Sequence, residues 1–207
     1  MSAKRGARSR AWSQRQATDP YVAQARARGF RSRAALKLEQ LDKKDRLFRA
    51  GMTVVDLGAA PGSWSQYATS RVGPKGKVIA LDRLEMAPIT GIHMILGDFL
   101  ESSVKEQVTV SLEGRPLDLV ISDMAPNLTG IKDVDQVAMG ELVSQAAVFA
   151  HSQLREHGVF VAKFFEGAEA KGVLDGLSER FESFRVRKPK ASRSESTEVY
   201  VVARDPI

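Results

Sequence analysis

The chain contains no cysteine. Disulfides, cysteine-ligated zinc and thiol nucleophiles are therefore excluded from its chemistry. Histidine is nearly as scarce, and His93, His151 and His157 stand apart from one another. That spacing offers no metal-ligand motif, so we expect no metal site. No stretch of 18 apolar residues occurs, which argues against a membrane span or a membrane partner. The N-terminus is basic but lacks an apolar segment and does not read as a secretory signal. Residues 1–17 are Arg-rich and free of acid, a composition shared with mitochondrial transit peptides, but so short a chain and tail point to the bacterial cytoplasm. Aromatics make up only 7% of the chain, and few lie near its basic clusters. That leaves little aromatic surface for base stacking beside those charges.

What is present suits one α/β unit. There are 207 residues, 43% of them hydrophobic, enough to bury a sizeable core. The net charge of +6 is unevenly spread. Residues 1–50 carry 14 Lys and Arg against 4 acids, and residues 51–207 carry 17 against 21. A segment this basic suits a polyanion. We divide the chain into a basic, mobile tail over 1–18 and one domain over 19–207, which begins with a helix from about Ser32 on the polyanion side. Asp19-Pro20-Tyr21 breaks the pattern between them.

The central stretch is MTVVDLGAAPGSW, Met52 to Trp64. The β-branched run Met52–Leu57 reads as a buried parallel strand. Gly58-Ala-Ala-Pro-Gly62 is a turn of small residues that lets a ligand approach the backbone. A helix follows from Ser63, with Trp64, Tyr67 and Ala68 on one side. Strand, glycine turn and helix make the first unit of a nucleotide-binding α/β fold. The glycine spacing is neither that of a dinucleotide site nor that of a P-loop, and the loop has no lysine, so a nucleoside-like ligand is favoured over a phosphate-bearing one.

Further strands are expected at 76–82, 92–96, 117–123 and 158–165, with helices over 134–155 and 168–180 and a terminal antiparallel pair at 181–188 and 197–203. Acids stand at three strand ends: Asp82, Asp98 and Asp123. In an open α/β sheet those ends face the ligand. Asp82 lies about 20 residues beyond the glycine loop, where an acid reads ribose hydroxyls, and Asp98 could hold an adenine amino group. Lys163 interrupts the apolar run VFVAKFF, where an unpaired ammonium would be costly to bury.

With these residues in view the chain resembles the FtsJ (RrmJ) family of ribosomal RNA ribose 2′-O-methyltransferases. The stretches that carry the resemblance are DPYVAQARARGFRSRAALKLEQLD, VVDLGAAPGSWSQYA, SDMAPNLTG, GVFVAKFFEG and SRSESTEVYVVA, from Asp19 to Ala203. The ordered set Lys37, Asp123, Lys163 and Glu198 matches the family's Lys-Asp-Lys-Glu tetrad. Ser63 departs from an expected glycine, Leu36 from an expected aromatic, and the loop after Asn127 reads Leu-Thr-Gly-Ile-Lys.

The resemblance implies a Rossmann-like, S-adenosylmethionine-dependent methyltransferase fold: a mostly parallel seven-stranded sheet, helices on both faces, an antiparallel last strand. It implies S-adenosylmethionine as methyl donor, held by Gly62, Trp64, Asp82, Asp98 and Asp123, with no metal. It implies as target a uridine of 23S rRNA in the large ribosomal subunit; separately, we expect a cytoplasmic monomer. Lys163 would take the proton of the 2′-hydroxyl or, if it stays charged, orient that hydroxyl. A free lysine titrates near 10.4, so a base at neutral pH needs about 4–5 kcal/mol of differential interaction. Arg26, Arg28, Arg31 and Arg33, and a second cluster at Arg185, Arg187, Lys188, Lys190 and Arg193, would track phosphates. The same chemistry on tRNA or an mRNA cap, and a non-catalytic ribosome assembly factor on the same fold, are the competing readings.

Overall fold

Thr53–Leu57 forms strand β1, buried along its whole length. A strand apolar on both faces belongs in the middle of a covered sheet. It pairs in parallel with β2 (Lys77–Asp82) on one side and β4 (Leu117–Ser122) on the other. β3 (Ile92–Leu96) extends the sheet beyond β2, and β5 (Leu154–Phe165) beyond β4. β7 (Glu198–Pro206) then runs antiparallel to β5, and β6 (Phe181–Arg187) closes that edge antiparallel to β7. The order is β3-β2-β1-β4-β5-β7-β6, the mostly parallel seven-stranded sheet expected from the sequence. These statements rest on a computed structural model that describes residues 19–207; the basic tail expected at 1–18 lies outside the described residues.

Helices cover both faces. On one, α2 (Ala34–Asp45) and α3 (Ser63–Val72) bury Leu38, Leu41, Trp64 and Ala68 against Val54, Leu119, Val161 and Val202 of the sheet. α1 (Pro20–Ala27) lies outside α2, where Ala25 meets Leu36 and Ala191. On the other face, α4 (Ser102–Ser111), α5 (Lys132–Gln153) and α6 (Ala170–Ser178) enclose the larger core around Val55, Ile79, Val120 and Phe160. At the lower rim Asp118 accepts the β1 amide of Thr53 at 2.7 Å and Arg155 Nε at 2.7 Å, tying the starts of three strands together.

Several boundaries differ from expectation. The break expected at Asp19-Pro20-Tyr21 is instead the start of α1, where Asp19 caps the Tyr21 amide at 2.9 Å and Pro20 occupies the first turn. Both are helix-start signals, but only Ala25 of the eight residues is buried, so no apolar stripe announced the helix. α4 buries only Val104 and Val108 and was missed for the same reason. α2 begins at Ala34 because the Ser32 hydroxyl faces Ser63 Oγ at 2.7 Å while accepting the Ala34 amide at 3.2 Å. β5 begins at Leu154, four residues before the expected Gly158, with His157 in the left-handed region at φ 61°.

Candidate active site

The strand order reverses between β1 and β4, and in an open α/β sheet the loops leaving such strands bound the ligand crevice at the carboxyl edge. Register places the chemistry there. Lys163 on β5 lies directly opposite Tyr200 on β7, and Phe165 opposite Glu198. Residues two apart in a strand share a face, so Glu198 and Tyr200 point to the same side, toward α2. That helix supplies Lys37, three residues after Ala34, whose carbonyl accepts the Trp64 indole N–H at 2.8 Å.

The four tetrad residues meet as two ion pairs joined by a phenol. Lys37 Nζ lies 2.6 Å from Glu198 Oε1, which also accepts from Ser192 Oγ at 2.9 Å. Lys163 Nζ donates to the Asp123 main-chain carbonyl at 2.6 Å and lies 3.2 Å from Asp123 Oδ1. Tyr200 donates its hydroxyl to the same Oδ1 at 2.8 Å and lays its ring 5.8 Å beneath Lys37 Nζ. Both lysines are only 8% exposed. Burial, with Asp123 and Glu198 beside it, holds the Tyr200 phenol well above its ordinary range, so it remains a donor and fixes the Asp123 carboxylate.

The two contacts of Lys163 have a chemical consequence. A neutral amine has two N–H bonds and one lone pair; an ammonium has three N–H bonds. Asp123 engages two positions of the tetrahedral nitrogen through its carbonyl and its carboxylate. The third is left for whatever enters the crevice, as a proton or as a lone pair.

The crevice beside the tetrad fits a small cationic nucleoside. Gly58 has φ +76°, and a Cβ there would come within 2.5 Å of Met124 Cγ, so the loops after β1 and β4 touch at a glycine. Gly62, at φ +101°, starts α3 without a side-chain cap, which leaves the first amides of the helix, including that of Trp64, without helical partners. The Trp64 side chain itself is buried against Tyr200 at 5.6 Å and serves packing. Asp82 uses one lone pair of each oxygen on the amides of Ala60 and Leu84, both at 2.8 Å, and keeps acceptor capacity for hydroxyls. Asp98 accepts the Leu100 amide at 2.9 Å and faces Arg83 at 3.5 Å.

Asp56 is the decisive group for that fit. It is fully buried, receives the Ser65 hydroxyl on one oxygen, and has no hydrogen-bond partner for Oδ1 among the described residues. Burial first, then the Asp123 and Asp82 carboxylates, pushes it up to about 7. Asp56 thus feels the carboxylates of Asp82 and Asp123 at the ends of the neighbouring strands, and so much acid at one edge of the sheet favours a positive ligand. S-adenosylmethionine, with a sulfonium, an ammonium and ribose hydroxyls, would suit that field and the acceptor capacity left on Asp82. Among the described residues no group of three His, Asp or Glu side chains could hold a metal ion, and no helix is long and apolar enough to cross a membrane.

The FtsJ-like methyltransferase family model matches residues 30–206. The chain belongs to that family. It is 50% identical over 203 residues to the ribosomal RNA large subunit methyltransferase E of Halorhodospira halophila, covering 98% of this chain and 96% of that one. It is 48% identical over 199 residues to the protein of the same name from Methylobacillus flagellatus, covering 96% of each. Among solved structures, a Plasmodium falciparum protein titled a ribosomal RNA methyltransferase superposes with a TM-score of 0.77 at 27% identity, over 86% of this chain and 98% of that one. Aeropyrum pernix fibrillarin, solved with bound S-adenosyl-L-methionine, shares the fold at 16% identity and a TM-score of 0.57, over 84% of this chain and 74% of that one.

Within this FtsJ-like frame the departures from the family pattern find their reasons. Ser63 is buried and paired with Ser32, and Leu36 fills the small contact with Ala25 and Ala191. The first arginine cluster is less available than its sequence suggested. Arg28 pairs with Glu39, Arg33 with Asp19, and Arg31 donates to the carbonyls of Pro61 and Pro88 at 2.8 and 2.9 Å, bracing the glycine loop. In the second cluster Arg187 is held bidentately by Asp45 and Lys188 donates to the Ser196 carbonyl. Sequence reasoning missed Tyr200, Ser192 and Asp56. Tyr200 was findable, since strand period places it on the face of Glu198. Asp56 was findable as an acid inside an apolar strand. Nothing in the sequence singles out Ser192.

Proposed function

We propose that this protein transfers the methyl group of S-adenosylmethionine to the ribose 2′-hydroxyl of a uridine in 23S rRNA, on the large ribosomal subunit. The observation that carries this reading is the paired network of Lys37–Glu198 and Lys163–Asp123–Tyr200 at the mouth of a crevice suited to a cationic nucleoside. The names of relatives near half identity over almost the whole chain support the ribosomal target. The bound cofactor supplies a methyl group activated by positive sulfur. Gly62, the Trp64 amide, Asp82, Asp98 and Asp123 would hold it, and the chain's remaining task is to align the hydroxyl. Lys163 meets that hydroxyl with its third tetrahedral position, removing the proton or directing the oxygen lone pair toward the methyl carbon. Alignment of this kind supplies roughly 7–11 kcal/mol. Lys37 and Glu198 hold the ribose side of the crevice. Residues 19–207 act as one unit, a cytoplasmic monomer, with the tail at 1–18 adding charge toward RNA.

The test is methyl transfer from labelled S-adenosylmethionine to large subunits lacking their modifications, beside bulk tRNA. We expect label on one ribose of the subunit RNA. In Lys163→Ala the rate should fall by about 10²–10⁴-fold, with cofactor affinity within about twofold of the unaltered protein. Label on tRNA alone would overturn the target, and near-normal transfer by Lys163→Ala would overturn the role of the lysine.

A further inference from the structure

Away from the crevice, α2 and α3 enclose a groove of about 740 Å³. Its floor is aromatic, with Phe48 and Tyr67 packed edge to face at 5.7 Å and Phe30 beside them. Its rim is cationic: Arg28, Lys43, Arg46, Arg49 and Arg71 stand against two acids, Glu39 and Asp42. Both acids are already engaged. Glu39 receives Arg28 and Lys43. Asp42 is buried and receives the Tyr67 hydroxyl, Arg71 Nε and the amides of Leu47 and Phe48. Beyond Arg46 a second groove of about 350 Å³ continues along β6 with Lys44 and Arg185, and its acid, Asp45, is held by Arg187. Lys44, Arg46, Arg49 and Arg185 are exposed and form no ion pair among the described residues. The positive charge of this band is thus uncompensated.

Arg46, shared by both grooves, is conformationally unusual. It ends α2 in the left-handed region at φ 52° and ψ 59°, its amide bonded to the Asp42 carbonyl. Helix ends of this shape favour glycine. An arginine there is disfavoured by its backbone, so its side chain is the feature that distinguishes it. Arg46 lies nine positions from Lys37, about 13 Å along the helix, or the rise of about four stacked nucleotides.

We propose that this band is a second RNA-contact surface, gripping the phosphodiester backbone of large-subunit RNA outside the catalytic crevice. It extends the functional reading given above and rests on it. The uncompensated cations complement a polyanion and have no match for an acidic peptide's apolar side chains, because the aromatic floor is mostly buried.

The test compares the unaltered protein with a triple variant, Arg46→Gly, Arg49→Ala and Arg185→Ala. Glycine suits the backbone at position 46, so the melting temperature should not fall there. A second variant places lysine at all three positions. On unmodified large subunits the triple variant should show KM raised about tenfold and kcat within about twofold. Its binding to protein-free large-subunit RNA should weaken about tenfold, with the slope of log affinity against log salt shallower by about 2. The lysine variant should restore both. An unchanged KM and salt slope would overturn the proposal. So would a KM effect on subunits with unchanged binding to protein-free RNA, which would assign the surface to a ribosomal protein. The binding arm reads this surface even if the unaltered protein transfers no methyl group, an outcome that would instead defeat the proposed reaction.

Discussion

At the scale of single residues, Asp56 governs a pH dependence of stability. An aspartate ordinarily titrates near 3.8, and burial beside Asp82 and Asp123 raises Asp56 to about 7. Between these values the folded protein keeps a proton that the unfolded chain has lost, so stability falls as pH rises through that window and levels off above about 7. The full effect is about 4 kcal/mol. Asn has the same shape and no titration. The stability of Asp56→Asn minus that of the unaltered protein, from urea denaturation, should therefore grow by a few kcal/mol from pH 5 to pH 8. Parallel stability curves would mean that Asp56 ionises freely in the fold. Tyr200 illustrates how a residue can be visible in a sequence and still be passed over. An aromatic in an apolar strand reads as core, and it is core, but its hydroxyl meets Asp123 only because β7 lies beside β5 in one register.

At the scale of elements, the joint between α2 and β1 depends on Asp42. Its carboxylate gathers two amides of the following loop, the Tyr67 hydroxyl of α3 and Arg71. Removing it strands several buried donors at once, each worth about 1–3 kcal/mol when unsatisfied. Asp42→Ala should lower stability by about 3–4 kcal/mol and the melting temperature by roughly 10 °C, measured by calorimetry. A drop under about 2 °C would show that water replaces the carboxylate without loss. Asp42 was not legible as such a joint, because an acid in the last turns of a helix reads as a solvated face. The strands were legible wherever both faces are apolar, as in β1, β2 and β4. α1 and α4 were not, because each buries one or two side chains and so leaves no periodic stripe. Their presence is decided by tertiary contact and not by local pattern.

At the scale of the whole molecule, the tetrad is drawn from α2, the end of β4, β5 and β7, and its first ion pair joins positions 161 residues apart. No local pattern encodes such a meeting. The tetrad was readable only as an ordered family resemblance, and the strand order supplies its physical reason, since β7 returns antiparallel between β5 and β6 and brings Glu198 to the carboxyl edge. A crevice built from so many elements couples ligand binding to global stability. S-adenosylmethionine at about 100 times its Kd should stabilise the protein by about 2.7 kcal/mol, raising the melting temperature by roughly 5–10 °C for a domain of this size. Lys163→Ala and Arg46→Gly, which leave the glycine loop intact, should keep that rise. Gly62→Ala should lose most of it. A Cβ at that position would stand 2.7 Å from Ile89 Cδ1 and 2.9 Å from Arg31 Nη1 on a backbone of φ +101°, so the variant will also melt lower without ligand, and the difference with and without ligand is the quantity to compare. If Gly62→Ala keeps the full rise while Lys163→Ala loses it, the cofactor lies on the lysine side and the crevice after β1 is not its seat.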